Sequence, residues 1–85
     1  MSDSLLAKIR KFLSRDFREQ IEKRDKLKKL LAKIRKKQKK LQDELSEEYD
    51  PVLQDELRTK IRLLEEQRRK GLDLLKELRE ARKQA

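Results

Sequence analysis

Apolar residues recur at helical spacing along almost the whole chain, and one proline interrupts the pattern. At about 100° per residue, the leucine, isoleucine and phenylalanine residues from Leu5 to Leu45 share one helix face. From Leu57 to Leu78 the seam positions alternate steps of four and three residues, which is typical of a coiled coil. The chain has only one glycine and one proline, too few turn residues for a sheet of hairpins. The pattern therefore predicts an all-α fold built from long amphipathic helices.

Pro51 marks the boundary between the two periodic stretches. It lacks an amide hydrogen and disfavours helical backbone at Asp50, yet it suits the first position of a new helix with Asp50 as the N-cap. A short turn between two long amphipathic helices produces an antiparallel hairpin. We therefore predict an antiparallel two-helix hairpin of the coiled-coil type, with a helix at about 16–46, a turn at about 47–50 and a helix at about 51–83.

Residues 1–15 form an amphipathic N-terminal segment ahead of the hairpin domain, which comprises residues 16–85. Asp16 and Glu19 have the spacing of a capping box, which favours a new helix start at this point. The apolar face nevertheless continues in phase across Asp16, which favours one uninterrupted helix. The segment is therefore expected to be either an extension of the first helix or a short third helix.

The second helix carries more apolar residues than one partner helix can bury. Val52, Leu63, Leu74 and Ala81 form a second stripe beside the seam. The stems of lysine and arginine side chains could shield this stripe, or a third helix or a second copy of the chain could cover it. On the second explanation, we predict that a protein partner binds at Leu5, Leu6, Ile9, Phe12, Leu63 and Leu74.

Charges are segregated into two blocks. Residues 26–40 contain nine Lys or Arg and no acid, whereas residues 43–56 contain seven acids and no base. A solvated helix exterior usually intersperses the two signs, and like charges four residues apart are mildly destabilising. The block is therefore either neutralised by counterions or bound by an acidic partner. The candidate phosphate contacts are Lys29, Lys33, Arg35, Lys36, Lys37 and Lys40, and the acidic tip consists of Asp43, Glu44, Glu47, Glu48 and Asp50.

The composition argues against catalysis. Cysteine and histidine are absent, which removes thiolate and imidazole ligands and nucleophiles. No glycine-rich phosphate loop is present, and a narrow hairpin offers no concave pocket for a small-molecule substrate. No apolar run approaches the roughly 20 residues of a membrane-spanning helix. We expect a cytoplasmic protein that is not an enzyme, has no cofactor and does not act at a membrane.

Two functions remain. The first is a small helical-hairpin adaptor or regulator that binds protein and self-associates as a homodimer, because an acidic tip and a basic shaft complement each other when two rods lie antiparallel. The alternative is a hairpin that binds nucleic acid, with its basic shaft on the phosphates. The net charge of +9 attracts a negatively charged partner, whether it is an acidic protein or a nucleic acid.

Overall fold

The structure, a computed structural model, describes the backbone of residues 3–84 and the side chains of residues 4–81. Within that range it contains α1 (Asp3–Leu13), α2 (Phe17–Glu22), α3 (Arg24–Glu47) and α4 (Pro51–Gln84), and no strand. The predicted all-α class is therefore confirmed. Met1, Ser2 and Ala85 lie outside the described residues, so the N-terminal segment is described from Asp3 onward.

The N-terminal segment forms a short helix of its own. Asp16, between α1 and α2, has an extended backbone (φ −66°, ψ 159°), and its Oδ1 accepts a hydrogen bond from the Glu19 amide at 2.8 Å. This is the N-cap that the Asp16–Glu19 spacing predicts. Of the two expectations for this segment, the structure shows the separate helix, because the chain leaves the helical conformation at Asp16.

A second break, at Lys23, divides the helix that we expected over residues 16–46 into α2 and α3. Lys23 has φ −104° and ψ 23°, well away from α-helical values of about −63° and −42°. Its amide still donates to the Glu19 carbonyl, and its carbonyl accepts from the Lys26 amide, both at 3.0 Å. Neither proline nor glycine marks this position, so the sequence pattern carries no signal for the break.

Three residues, Glu48 to Asp50, connect α3 to α4. Asp50 caps α4, since its Oδ1 accepts a hydrogen bond from the Val52 amide at 2.9 Å. The Gln54 side chain then closes the connection by donating from Nε2 to the Glu48 carbonyl at 2.7 Å. Pro51, which has no amide hydrogen to satisfy, occupies the first position of α4.

One core joins α1, α3 and α4. α1 packs against both longer helices, and α2 contacts α4. Among the described side chains, twelve apolar ones are buried: Leu6, Ile9, Phe12, Leu27, Leu30, Leu31, Ile34, Leu41, Ile61, Leu64, Leu75 and Leu78. The N-terminal apolar face is therefore covered by the chain itself.

α3 packs chiefly against α4, and its higher-numbered residues lie beside lower-numbered residues of α4. Leu31 lines a groove with Leu72, whereas Glu44 lines another with Leu57. The two helices approach closely at Gly71, where a Cβ atom would lie 2.6 Å from Leu31 Cδ2. The Cα atoms extend over 52 × 18 × 15 Å, so the protein is a short rod.

Candidate functional site

Two rows of cationic side chains flank a groove between α1 and α3, which we call the basic groove. Each row has three members at the spacing i, i+3 and i+7, and the floor between them is apolar. The groove has a volume of about 380 Å³ and is lined by Lys8, Lys11, Phe12, Arg15, Lys26, Lys29, Leu30 and Lys33. No acidic side chain lines it among the described residues.

The register of the two helices explains why the rows face each other. Phe12 and Leu30 are both buried and form the floor. Their neighbours Lys11 and Lys29 each lie about 100° around the helix from a floor residue, so they project along the edges of the same contact. Burial of the apolar pair therefore brings the cations together.

Arg15 is the most enclosed cation of the basic groove: its side chain is 15% exposed, whereas the five lysine residues are exposed. Its Nη1 donates to Glu19 Oε1, while its Nε is buried and has no hydrogen-bond partner in the described part of the chain. The hydrogen bond from Lys23 to Glu19, together with the hydrogen bond and charge of Arg15, lowers the pKa of the Glu19 carboxyl although partial desolvation opposes this. Glu19 therefore holds the guanidinium in place as a carboxylate.

The lysine block on α3 lacks internal counter-charges. Within residues 4–81 the ion pairs are Arg15–Glu19, Arg18–Glu22, Lys23–Glu19, Arg58–Asp55 and Lys70–Glu66. None of these pairs involves a side chain from Lys26 to Lys40. The positive charge of this stretch is therefore available to a ligand.

The structure distributes the predicted phosphate contacts over two sides of α3. Lys29 and Lys33 line the basic groove. Arg35 and Lys36 line a different groove of about 540 Å³, formed with Leu31, Ala32, Lys39, Arg68 and Leu72. Lys37 is half-buried and Lys40 is exposed. The six residues predicted from the sequence thus do not form one site.

Sequence reasoning missed part of the basic groove. Lys8, Lys11 and Arg15 were not among the predicted phosphate contacts, and neither was Lys26. The signal was present in the sequence, because positions 8, 11 and 15 repeat the spacing of positions 26, 29 and 33. Only the packing of α1 on α3 shows that the two rows border one groove.

The predicted acidic tip lies at the connection between α3 and α4. Glu44, Glu47 and Glu48 line a cavity of about 420 Å³ with Leu53, Glu56, Leu57 and Lys60. Asp43 is exposed on α3, and Asp50 is engaged in capping α4. Among the described residues, no group of three or more acidic side chains is arranged to hold a metal ion.

The predicted partner-binding residues divide into buried and exposed ones. Leu6, Ile9 and Phe12 are buried in the core, and Leu5 and Leu74 are partly buried against it. These five pack within the chain, which removes the exposed surface that motivated their prediction. Leu63 differs, since it is 37% exposed on α4.

No protein-family model, curated protein or solved structure matches this chain. No helix in the described range is long and apolar enough to cross a membrane. Functional inference therefore depends on the geometry and charge of the molecule itself.

Proposed function

We propose that this chain is an antiparallel helical hairpin of the coiled-coil type that serves as a protein–protein interaction module without enzymatic activity and self-associates as a homodimer. The observation that carries the proposal is the exposed apolar stripe on α4. Val52 is 66% exposed and Leu63 is 37% exposed, although both continue the stripe on which Leu74 packs against the core. α1 and the core leave this part of the stripe open to a partner.

The charge distribution favours a second copy of the chain as that partner. In an antiparallel two-fold dimer, the acidic cavity lined by Glu44, Glu47 and Glu48 approaches the basic Lys26–Lys40 stretch of the other copy. Exposed ion pairs contribute only about 0–1 kcal/mol each. Burial of Val52 and Leu63 must therefore supply most of the affinity, and the charges set the orientation.

Sedimentation velocity over a micromolar concentration series tests this proposal. Leu63→Asp should convert the dimer to a monomer, because it places a charge in the interface. Leu72→Asp is the matched control, since Leu72 is 42% exposed on α4 but lines the groove with Leu31 and Ala32. A wild-type chain that sediments as a monomer throughout, or a dimer that only Leu72→Asp dissociates, would refute the proposed interface.

Nucleic-acid binding is the second candidate function. Two observations on the described residues support it: no ion pair involves the Lys26–Lys40 stretch, and no acidic side chain lines the basic groove. Phosphates attract such a surface in a strongly salt-dependent manner. A labelled duplex that is not retained at near-physiological salt would exclude this function.

A further inference from the structure

We propose that the basic groove is a phosphate-binding site that takes the sugar–phosphate backbone of double-helical nucleic acid. This inference depends on the second candidate function and narrows it to one site. Binding of nucleic acid to a generally basic surface would require no particular lysine residues. The groove, in contrast, requires α1 and the connection that follows it to place Lys8, Lys11 and Arg15 opposite the row on α3.

Charge density favours a nucleic-acid ligand. Lys26 and Lys33 lie seven residue steps apart on one helix, or about 10.5 Å at 1.5 Å per residue. Six cations over that length give about one positive charge per 1.8 Å, or about one per 2.1 Å when Arg15 is counted as neutralised by Glu19. Duplex DNA carries one negative charge per about 1.7 Å of its axis when both strands are counted, or one per about 3.4 Å on the one strand that a single groove can contact. The groove therefore offers about two cations per phosphate, one from each row.

The acidic tip of a second copy matches the groove less well. Its seven acids lie within the connection Glu48–Asp50 and on both sides of it, so they form no continuous row along one helix. Two of them are already engaged within the chain, since Asp50 caps α4 and Asp55 pairs with Arg58. A duplex backbone, in contrast, presents a continuous row of phosphates along the whole groove.

The groove floor argues for a duplex over a single strand. Proteins that bind single strands stack the bases on exposed aromatic rings. Phe12, the aromatic residue of the groove, is 1% exposed and packs in the core, so it offers no ring face. The groove can contact phosphates but has no platform for unpaired bases.

Arg15 adds a partly buried guanidinium to one wall of the groove. Its side chain is 15% exposed, and the hydrogen bond from its Nη1 to Glu19 Oε1 fixes its orientation. The guanidinium geometry matches phosphate oxygens. Its Nε is enclosed by the protein, so a phosphate in the groove contacts the exposed part of the guanidinium.

Fluorescence anisotropy with a labelled duplex of about 20 base pairs tests the site across about 50–300 mM salt. The groove variant carries Lys8→Gln, Lys11→Gln, Lys29→Gln and Lys33→Gln. The control variant carries Lys28→Gln, Lys36→Gln, Lys39→Gln and Lys76→Gln, four exposed positions outside the basic groove that reduce the net charge equally. Circular dichroism of both variants establishes that the helices are intact.

The groove variant should bind at least about tenfold more weakly than the control at about 100 mM salt, with a log–log salt slope shallower by about 3–4. Equal weakening of both variants would overturn the groove site while leaving general nucleic-acid binding in place. No binding by the wild-type chain would overturn both. Tighter binding of single-stranded than of double-stranded probe, or of an acidic peptide copied from residues 43–56, would also overturn the proposal.

Discussion

Gly71→Ala tests how closely α3 and α4 approach each other. Glycine in a helix interior is less favourable than alanine by about 1 kcal/mol, so the substitution should stabilise the protein if nothing else changes. The added Cβ would, however, lie 2.6 Å from Leu31 Cδ2, whereas ordinary carbon–carbon contacts begin near 3.5 Å. The Leu31 methyl group must therefore retreat by about 0.9 Å.

The balance of these two effects predicts a small gain in stability. Only the end of one flexible side chain clashes, since Leu31 Cγ at 3.5 Å and Leu27 Cδ1 at 3.6 Å remain at ordinary contact distance. Leu31 also borders the groove that it lines with Leu72, so its methyl group has space into which it can move. The clash should therefore cost less than the low end of overpacking, about 1 kcal/mol, and the helix-propensity gain of about 1 kcal/mol exceeds it.

A double-mutant cycle separates the two effects. Urea unfolding and thermal circular dichroism should show that Gly71→Ala raises the unfolding free energy of the wild-type chain, by less than about 1 kcal/mol. In a Leu31→Ala background the clash is absent, so the same substitution should give the full gain of about 1 kcal/mol. A loss of stability in the wild-type background would refute the argument, because it would show that Leu31 cannot move aside and that the close approach requires glycine.

Three further substitutions test the docking of α1 and its link to α2. Ile9→Ala should lower the unfolding free energy by about 2–5 kcal/mol in urea, because Ile9 is fully buried; a loss within about 0.5 kcal/mol would contradict the docking of α1. Gln20→Leu should cost about 1–3 kcal/mol, since Gln20 Nε2 donates to the Phe12 and Leu13 carbonyls at 3.2 Å, and wild-type stability would show these bonds to be dispensable. The pKa of Glu19 is lowered in the fold, so its carboxylate stabilises the protein above its ordinary pKa of 4.5 and loses this effect as pH falls through the lowered value. Glu19→Gln should therefore flatten the acid side of the melting temperature against pH, and an unchanged profile would contradict this pairing.

The long helices could be predicted because their determinants are local. Apolar spacing identifies the helix faces, and Pro51 with Asp50 marks the start of α4 through a missing amide and a side-chain cap. The break at Lys23 could not be predicted, since its dihedral angles arise without proline or glycine. The sequence also could not show whether α1 is a separate helix or an extension of the next one, because the apolar residues keep the same helical phase on both sides of Asp16.

The candidate site was predictable only in part. Lys29 and Lys33 were identified from the block of like charge, which is visible along the chain. The opposing row is contributed by tertiary packing, so periodicity alone could not show where Lys8 and Lys11 lie. The same limit applies to Ile9, which was predicted to contact a partner but is buried in the core. An excess of apolar residues indicates that another surface must cover them, but it does not show whether the chain itself supplies that surface.

Docking of α1 brings cations beside cations, and the magnitudes show why it still occurs. Facing charges about 10 Å apart repel by about 0.4 kcal/mol in water, so three facing pairs cost about 1–2 kcal/mol before screening. Burying Leu6, Ile9 and Phe12 contributes about 4–9 kcal/mol as an upper estimate. The free energy gained by apolar burial therefore exceeds the electrostatic repulsion. As a result, α1 docks and the basic groove forms although its cations repel one another. It follows that removing groove lysines should leave the fold intact, and this is why weaker binding by the groove variant reports on ligand contacts and not on unfolding.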